Sequence, residues 1–230
     1  MNTISKSVVF LSGPEDDHPN WGPFMRFRLT YDGILRATNR DPLEEKPDLL
    51  AVHKHTIRAQ FHEQLKQHWQ TDKFLSAYRV RADDGTRIPY SESVAQEYEN
   101  RGFRFVPLVR DEMSLLCSLS ILFLRRDPPG SLVSAGDLDN RIKTVIDALR
   151  IPQKPNEFMG KDRKPITPEA GQDPFYCLME DDKQVSHLSV ETDMLLDPPT
   201  DDEKDKARVK LIITVELRPY YVTMDNMSFS

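Results

Sequence analysis

Between positions 25 and 31 the chain alternates: Met25, Phe27, Leu29 and Tyr31 share one side, and Arg26, Arg28 and Thr30 the other. A period of two marks a strand with one buried face. After a polar, proline-containing loop from Asn39 to Pro47, the apolar residues Ile57, Phe61, Leu65 and Trp69 recur every four positions. That spacing predicts a helix with one apolar stripe. The stretch from Arg79 to Asn100 is less regular; Asp84-Gly85 predicts a turn, and Ser91 to Tyr98 a short helix. Phe103 to Val109 reads as a strand that its Pro107 confines to an edge or a bulge. Ser114 to Leu124 is apolar enough to predict a strand buried on both faces, ended by Asp127-Pro128-Pro129-Gly130.

Further on, Leu138, Ile142, Val145, Ile146 and Leu149 follow helical spacing. Ile151 to Pro174 holds five prolines and no periodicity, and so reads as a long irregular loop. Phe175 to Met179 and Val185 to Thr192 read as strands on either side of Glu180-Asp181-Asp182. A polar loop from Asp197 to Lys206 follows. Val209, Leu211, Ile213, Val215 and Leu217 then alternate with Lys210, Thr214 and Glu216 in the clearest strand of the chain. The expected fold class is α/β (α+β), a mixed sheet with helices packed on it. The 230 residues fit one large domain. Its expected body is 25–218, after a polar lead-in at 1–24 and before a tail at 219–230.

Composition narrows the class. No run approaches the roughly 20 apolar residues that cross a bilayer. Val8 to Leu11 are followed at once by Glu15, Asp16 and Asp17, which reads against a secretory signal. Cys117 and Cys177 lie in apolar runs and are expected as buried free thiols in a cytoplasmic protein. Lys plus Arg total 31 against 37 for Asp plus Glu, a net charge of −6. That balance counts against a generic nucleic-acid binder, whose footprint is basic. A metal-dependent nuclease is compatible with it, because it gathers carboxylates whose bound metals reverse the local field.

The candidate chemistry lies between Gly136 and Leu149. Asp137 and Asp139 stand two residues apart near the helix start, and on an extended approach both carboxylates would point the same way. Asp139, Lys143 and Asp147 fall on one helix face, apart from the apolar one. Mg²⁺ takes oxygen ligands and keeps several waters, so a few carboxylates suffice. Phosphodiester cleavage often uses two such ions about 4 Å apart. A third acid is available at Asp182, or at its neighbour Asp181. On spacing alone the plainer readings stay open: an Asp helix cap, an Asp139–Lys143 ion pair and an acidic turn.

The pattern Asp-x-Asp-Asn-x-x-Lys-x-x-x-Asp-x-Leu at Asp137 to Leu149 resembles the signature of RusA-type Holliday junction resolvases. Glu180-Asp181-Asp182-Lys183-Gln184-Val185 resembles the acidic segment that opens the next strand in that family. The two motifs stand in the family's order, and the likeness is closest from Ser114 to Leu217. It implies a RusA-like mixed sheet and a Mg²⁺-dependent endonuclease, with Mn²⁺ as a substitute ion, that acts as a homodimer on branched DNA in recombination or repair. Asp137, Asp139 and Asp182 would bind metal, with Asp181 beside them as a further ligand. Lys143 would face the scissile phosphate. Asn140 would orient the loop, and Asp147 would pair with Lys143 or a basic loop residue. Departures from the pattern are added segments near 79–110 and 151–174, which enlarge the domain, and a less basic composition.

Other features are weaker. Arg125 and Arg126, at a strand end, and Lys154, in the long loop, are candidate phosphate contacts. His53, His55 and His62 read as a solvated helix face rather than a transition-metal site, since no cysteine or His-Glu-x-x-His pattern accompanies them. His187 lies near Asp182 as a possible proton carrier or a structural strand residue. The absence of Gly-x-x-x-x-Gly-Lys and Gly-x-Gly-x-x-Gly argues against a nucleotide cofactor.

Overall fold

The computed structural model describes residues 25–36, 47–82, 84–126, 136–198, 207–223 and 226. The lead-in at 1–24 with His18, most of the 39–47 loop and the Asp127–Gly130 terminator lie outside the described residues. So do part of the 197–206 loop and the side chain of Asp137. The fold is α+β. Its largest sheet has the order β1-β9-β6-β8, built from β1 (Met25–Ile34), β6 (Leu115–Arg125), β8 (Val185–Met194) and β9 (Arg208–Pro219). β9 runs antiparallel to both β1 and β6, while β6 and β8 are parallel, so the sheet is mixed. α1 (Pro47–Thr71) and α4 (Gly136–Leu149) lie against each other, and both bury residues in the main core beside this sheet.

The intervening segment forms α2 (Lys73–Ala77), the hairpin β2 (Arg79–Arg81) and β3 (Arg87–Pro89), and α3 (Tyr90–Glu97). β4 (Glu99–Asn100), β5 (Phe103–Val109) and β7 (Phe175–Met179) make a small sheet. β4 pairs only with Phe103 and Arg104, so at Pro107 strand β5 has β7 alone as a neighbour, the edge position that a missing N–H requires.

The long apolar run departs from its expectation. In β6 the odd positions Leu115 to Arg125 are buried, whereas Leu116, Ser118, Ser120, Leu122 and Leu124 are half-buried or exposed. The reason is the layering. The helices cover one side of the main sheet, and on the other side Arg28, Ser120, Leu122, Ser189, Glu191, Ile212 and Thr214 line an open concavity of about 440 Å³. Burial on both faces belongs instead to β7, all five of whose residues are buried. Tyr176, Leu178 and Met179 join the main core; Phe175 and Cys177 join a second one with Phe103, Phe105, Ile151 and Phe158. Phe158 comes from the 151–174 loop, which is tied down by two 3-10 turns, Pro155–Phe158 and Lys161–Arg163. Both cysteines are buried free thiols, and burial pushes each up to about 12. Among the described residues no helix is long and apolar enough to cross a membrane.

Candidate acidic site

α4 presents Ile142, Val145, Ala148 and Leu149 to the core, the face the periodicity predicts. It begins at Gly136, so Asp137 and Asp139 lie in its first turn rather than on an extended approach. Asp139 and Lys143 are exposed on successive turns, and no hydrogen bond or ion pair among the described residues engages either. Asp147, a turn further on, is buried. Its Oδ2 accepts from Lys54 Nζ of α1 at 2.5 Å, and its Oδ1 from Arg150 Nη2 at 2.9 Å and Nε at 3.2 Å. The partner is therefore Lys54, 93 positions away, together with Arg150, and not Lys143. Along a helix face each turn offers the i±4 position, but the tertiary contact with α1 buries Asp147 and supplies a cation there.

Arg150 continues the network to Glu157 Oε1 at 3.0 Å. Glu157 in turn accepts the backbone N–H groups of Gln153 and Lys154 at 2.8 and 2.9 Å. Burial opposes charge on each member. Glu157 and Asp147 pull Arg150 above its usual range regardless. Burial would raise Asp147 and Glu157, yet Lys54 and Arg150 hold the first low, and the backbone donors with Arg150 hold the second low. Arg58 of α1 is fully buried and donates to the Arg150 carbonyl at 3.3 Å and the Asp147 carbonyl at 2.9 Å. A cation on the last carbonyls of a helix satisfies orphan acceptors and suits the helix dipole.

The second acidic segment is brought to this end of α4. Ile151 N–H donates to the Met179 carbonyl at 3.1 Å, and Gln153 Nε2 to the Glu180 carbonyl at 2.9 Å. The turn itself is held by buried Gln184, whose Oε1 accepts from the N–H groups of Glu180 and Asp181 at 3.1 and 3.3 Å. Asp181 caps a 3-10 turn (Asp182–Gln184), accepting from Lys183 N–H at 3.0 Å. That bond holds the Asp181 carboxyl low. Asp182 is raised, first by desolvation, then by the hydrogen bond and charge of Asp181 and by the charge of Asp147, against a lowering by Arg150. Glu180 is committed elsewhere: its Oε2 accepts from Tyr98 Oη and Asp111 N–H, each at 3.2 Å.

Hydrogen bonds thus bring the end of α4, with Asp147 and Arg150, up to the segment that carries Asp181 and Asp182. Asp139 and Lys143 extend along the α4 face from that end. By helical rise Asp139 stands about 12 Å from Asp147 along the axis. Among the described residues no three His, Cys, Asp or Glu side chains stand close enough together to hold a metal ion. Lys154 is exposed beside Gln153. Arg125 is buried, and Arg126 donates to the carbonyls of Asp197 and Pro198 at 2.7 and 3.1 Å, holding the loop after β8.

The expectation of a solvated histidine face does not hold. His62 is fully buried, stacks on Phe175 with centroids 4.4 Å apart, and accepts the Tyr176 N–H at Nδ1 at 2.8 Å. His53 accepts from Arg36 N–H at 3.2 Å, and His55 lies against the rings of Phe103 and Phe175, its centroid 5.9 Å from each. Burial lowers all three, His53 and His55 to about 4. α1 packs against α4, β1 and β7 together, so its covered sector is wider than one stripe. His187 is exposed on β8.

Lys54, Arg58, Arg150 and Glu157 were not among the sequence candidates. Lys54 and Arg58 are four apart beside the apolar stripe of α1, a weak sign of a polar seam against another helix. No protein-family model, curated protein or solved structure matches the chain.

Proposed function

We propose that this protein is a Mg²⁺-dependent, structure-selective endonuclease that cuts phosphodiester bonds in branched DNA, as its likeness to RusA-type resolvases implies. The observation that supports this best is the meeting of two acidic segments. The end of α4, which carries Asp147, is tied to the segment that carries Asp181-Asp182 by the Ile151 N–H bond to the Met179 carbonyl and the Gln153 bond to the Glu180 carbonyl. The donor set suits a hard divalent cation, being carboxylate oxygen with no thiolate or imidazole. The adjacent Asp181 and Asp182 carboxyls oppose each other's charge, a repulsion that such a cation relieves.

Asp139 and Asp182, with Asp137 and Asp181, would hold Mg²⁺ or Mn²⁺. The bound ion would activate water and neutralise charge on the phosphate. Lys143, exposed and unengaged, stabilises negative charge on the scissile phosphate. Arg150 keeps Asp147 ionised and anchors the helix end beside the acidic turn. Lys154, exposed in the loop, would meet a neighbouring phosphate. The likeness also implies a homodimer, which sedimentation measures.

Labelled four-way junctions, flaps, linear duplex and RNA, each with Mg²⁺ or Mn²⁺, provide the test. The expected result is cleavage of branched DNA, abolished in Asp139→Asn with binding retained. A native protein that cuts none of these substrates refutes the reading. A second reading, a nucleic-acid-binding scaffold without catalysis, is favoured by the lack of three converging ligands among the described residues. It predicts binding without cutting. Cleavage of RNA alone assigns the chemistry to a different substrate.

A further inference from the structure

The β2–β3 hairpin lies in the added segment near 79–110. Val80 and Ile88, paired across the strands, form its half-buried face. The opposite face carries Arg79, Arg81, Arg87 and Pro89, all exposed, with Arg81 directly across from Arg87. Like charges directly opposite on an antiparallel pair are destabilising. Among the described residues no carboxylate pairs with Arg79, Arg81 or Arg87. Arg79 is partly committed, since its Nη1 donates to the carbonyls of Ser76 and Tyr78 at 2.7 and 3.0 Å, and Arg81 Nε makes one long bond to the Gly85 carbonyl at 3.5 Å. The nearest described acid, Asp84, is turned to the loop, accepting from the N–H and hydroxyl of Thr86 at 2.9 and 2.6 Å. Two cross-loop backbone bonds, Ala82 N–H to Thr86 and Gly85 N–H to Ala82, both 2.9 Å, fix the tip. Gly85, at φ +84, meets the left-handed requirement of that tip.

We propose that this hairpin is a phosphate-contacting finger that grips a duplex arm of the nucleic-acid substrate through Arg81 and Arg87. This rests on the nuclease reading above. A guanidinium row on a fixed scaffold with no carboxylate partner among the described residues, in a chain of net charge −6, favours an anionic partner. The face is without the apolar centre that a protein interface has. Position favours a polymer. From Lys54, at the acidic network, to Thr71, at the end of α1 before the hairpin, the helix rises roughly 25 Å. A duplex bridges that span in about seven or eight base steps of 3.4 Å.

The test uses the full chain and its Arg81→Gln/Arg87→Gln variant, with Arg79 left in place because it serves the end of α2. Fluorescence anisotropy with a labelled linear duplex and a four-way junction is measured over a series of salt concentrations. Each lost phosphate contact lowers the slope of log affinity against log salt by about 0.9, so the variant is expected to be shallower by about 1.8. It should melt no lower than wild type, because the like-charge opposition is gone. Arg81→Lys/Arg87→Lys should keep most of the slope. Should the glutamine pair not fold, Arg81→Glu, which sets opposite charges across the hairpin, carries the same readout. A folded variant whose slope equals that of wild type overturns the finger alone. A lysine pair that loses as much slope as the glutamine pair also overturns it. Wild-type protein that binds neither probe refutes the nucleic-acid reading, and the finger with it.

Discussion

Replacing Asp147 by Asn removes one charge from the buried network while keeping the side chain's shape. The Lys54 and Asp147 side chains are only 12% and 8% exposed, so solvent screens the pair little. Removing one partner of a buried pair costs about 3–5 kcal/mol, because the other charge is stranded. Asn retains an oxygen for one donor, and Arg150 retains Glu157, which places the expected loss near the lower end, about 3 kcal/mol. For a chain of this size 1 kcal/mol moves Tm by about 2–4 °C, so the variant should melt about 6–12 °C lower at neutral pH. Calorimetry and urea unfolding read this directly. Acidification adds an independent check. Burial would raise the Asp147 carboxyl, but Lys54 and Arg150 hold it below its ordinary value. As pH falls, the unfolded chain therefore takes up this proton first. The stabilisation is full above the ordinary Asp value of about 3.9 and is lost as pH falls through the lower folded value. The gap between wild type and Asp147→Asn should stay constant near neutrality and close in acid. A Tm change under about 1 °C, or a gap that widens on acidification, refutes the assignment of stability to this pair.

Three further outcomes follow from the same geometry. Burial holds His55 at about 4, so stability is full above about 6.5 and declines as pH falls toward 4. His55→Phe keeps the ring contacts and should flatten that decline by up to about 1.4 kcal/mol per pH unit, and an unchanged slope in acid denaturation counts against it. Mg²⁺ or Mn²⁺ should raise the melting temperature of wild type by mass action but not that of Asp139→Asn or Asp182→Asn; equal shifts in all three would remove these residues from the metal site. Arg58→Met forfeits two charged hydrogen bonds at the end of α4 but also removes the partnerless Nη1, so urea unfolding should show a loss of about 2 kcal/mol, and a neutral result would deny the cap.

Where a signal is local, the sequence carries it. The alternation at 209–217 and 25–31 and the four-residue spacing at 57–69 map onto β9, β1 and α1. Where a partner decides, it does not. Leu116, Leu122 and Leu124 read as core in an apolar run, yet their side of the sheet is left open. His53, His55 and His62 read as a solvated face, yet α1 is covered from several directions at once. At the candidate site the two acidic motifs were visible as patterns, and α4 was expected from its periodicity. The cation for Asp147 was not visible, because Lys143 is near in sequence while Lys54 is near in space.

Strand β7 has no solvent side. Its five residues fill two close-packed cores, so changing any of them either leaves a void or overfills a neighbour. The acidic turn is the direct continuation of that strand. Variation among related sequences should therefore be narrow from Phe175 to Met179 for reasons of volume alone. Beyond Glu180, Asp181 still caps its turn, so it is restriction at the exposed Asp182 that would report selection on chemistry.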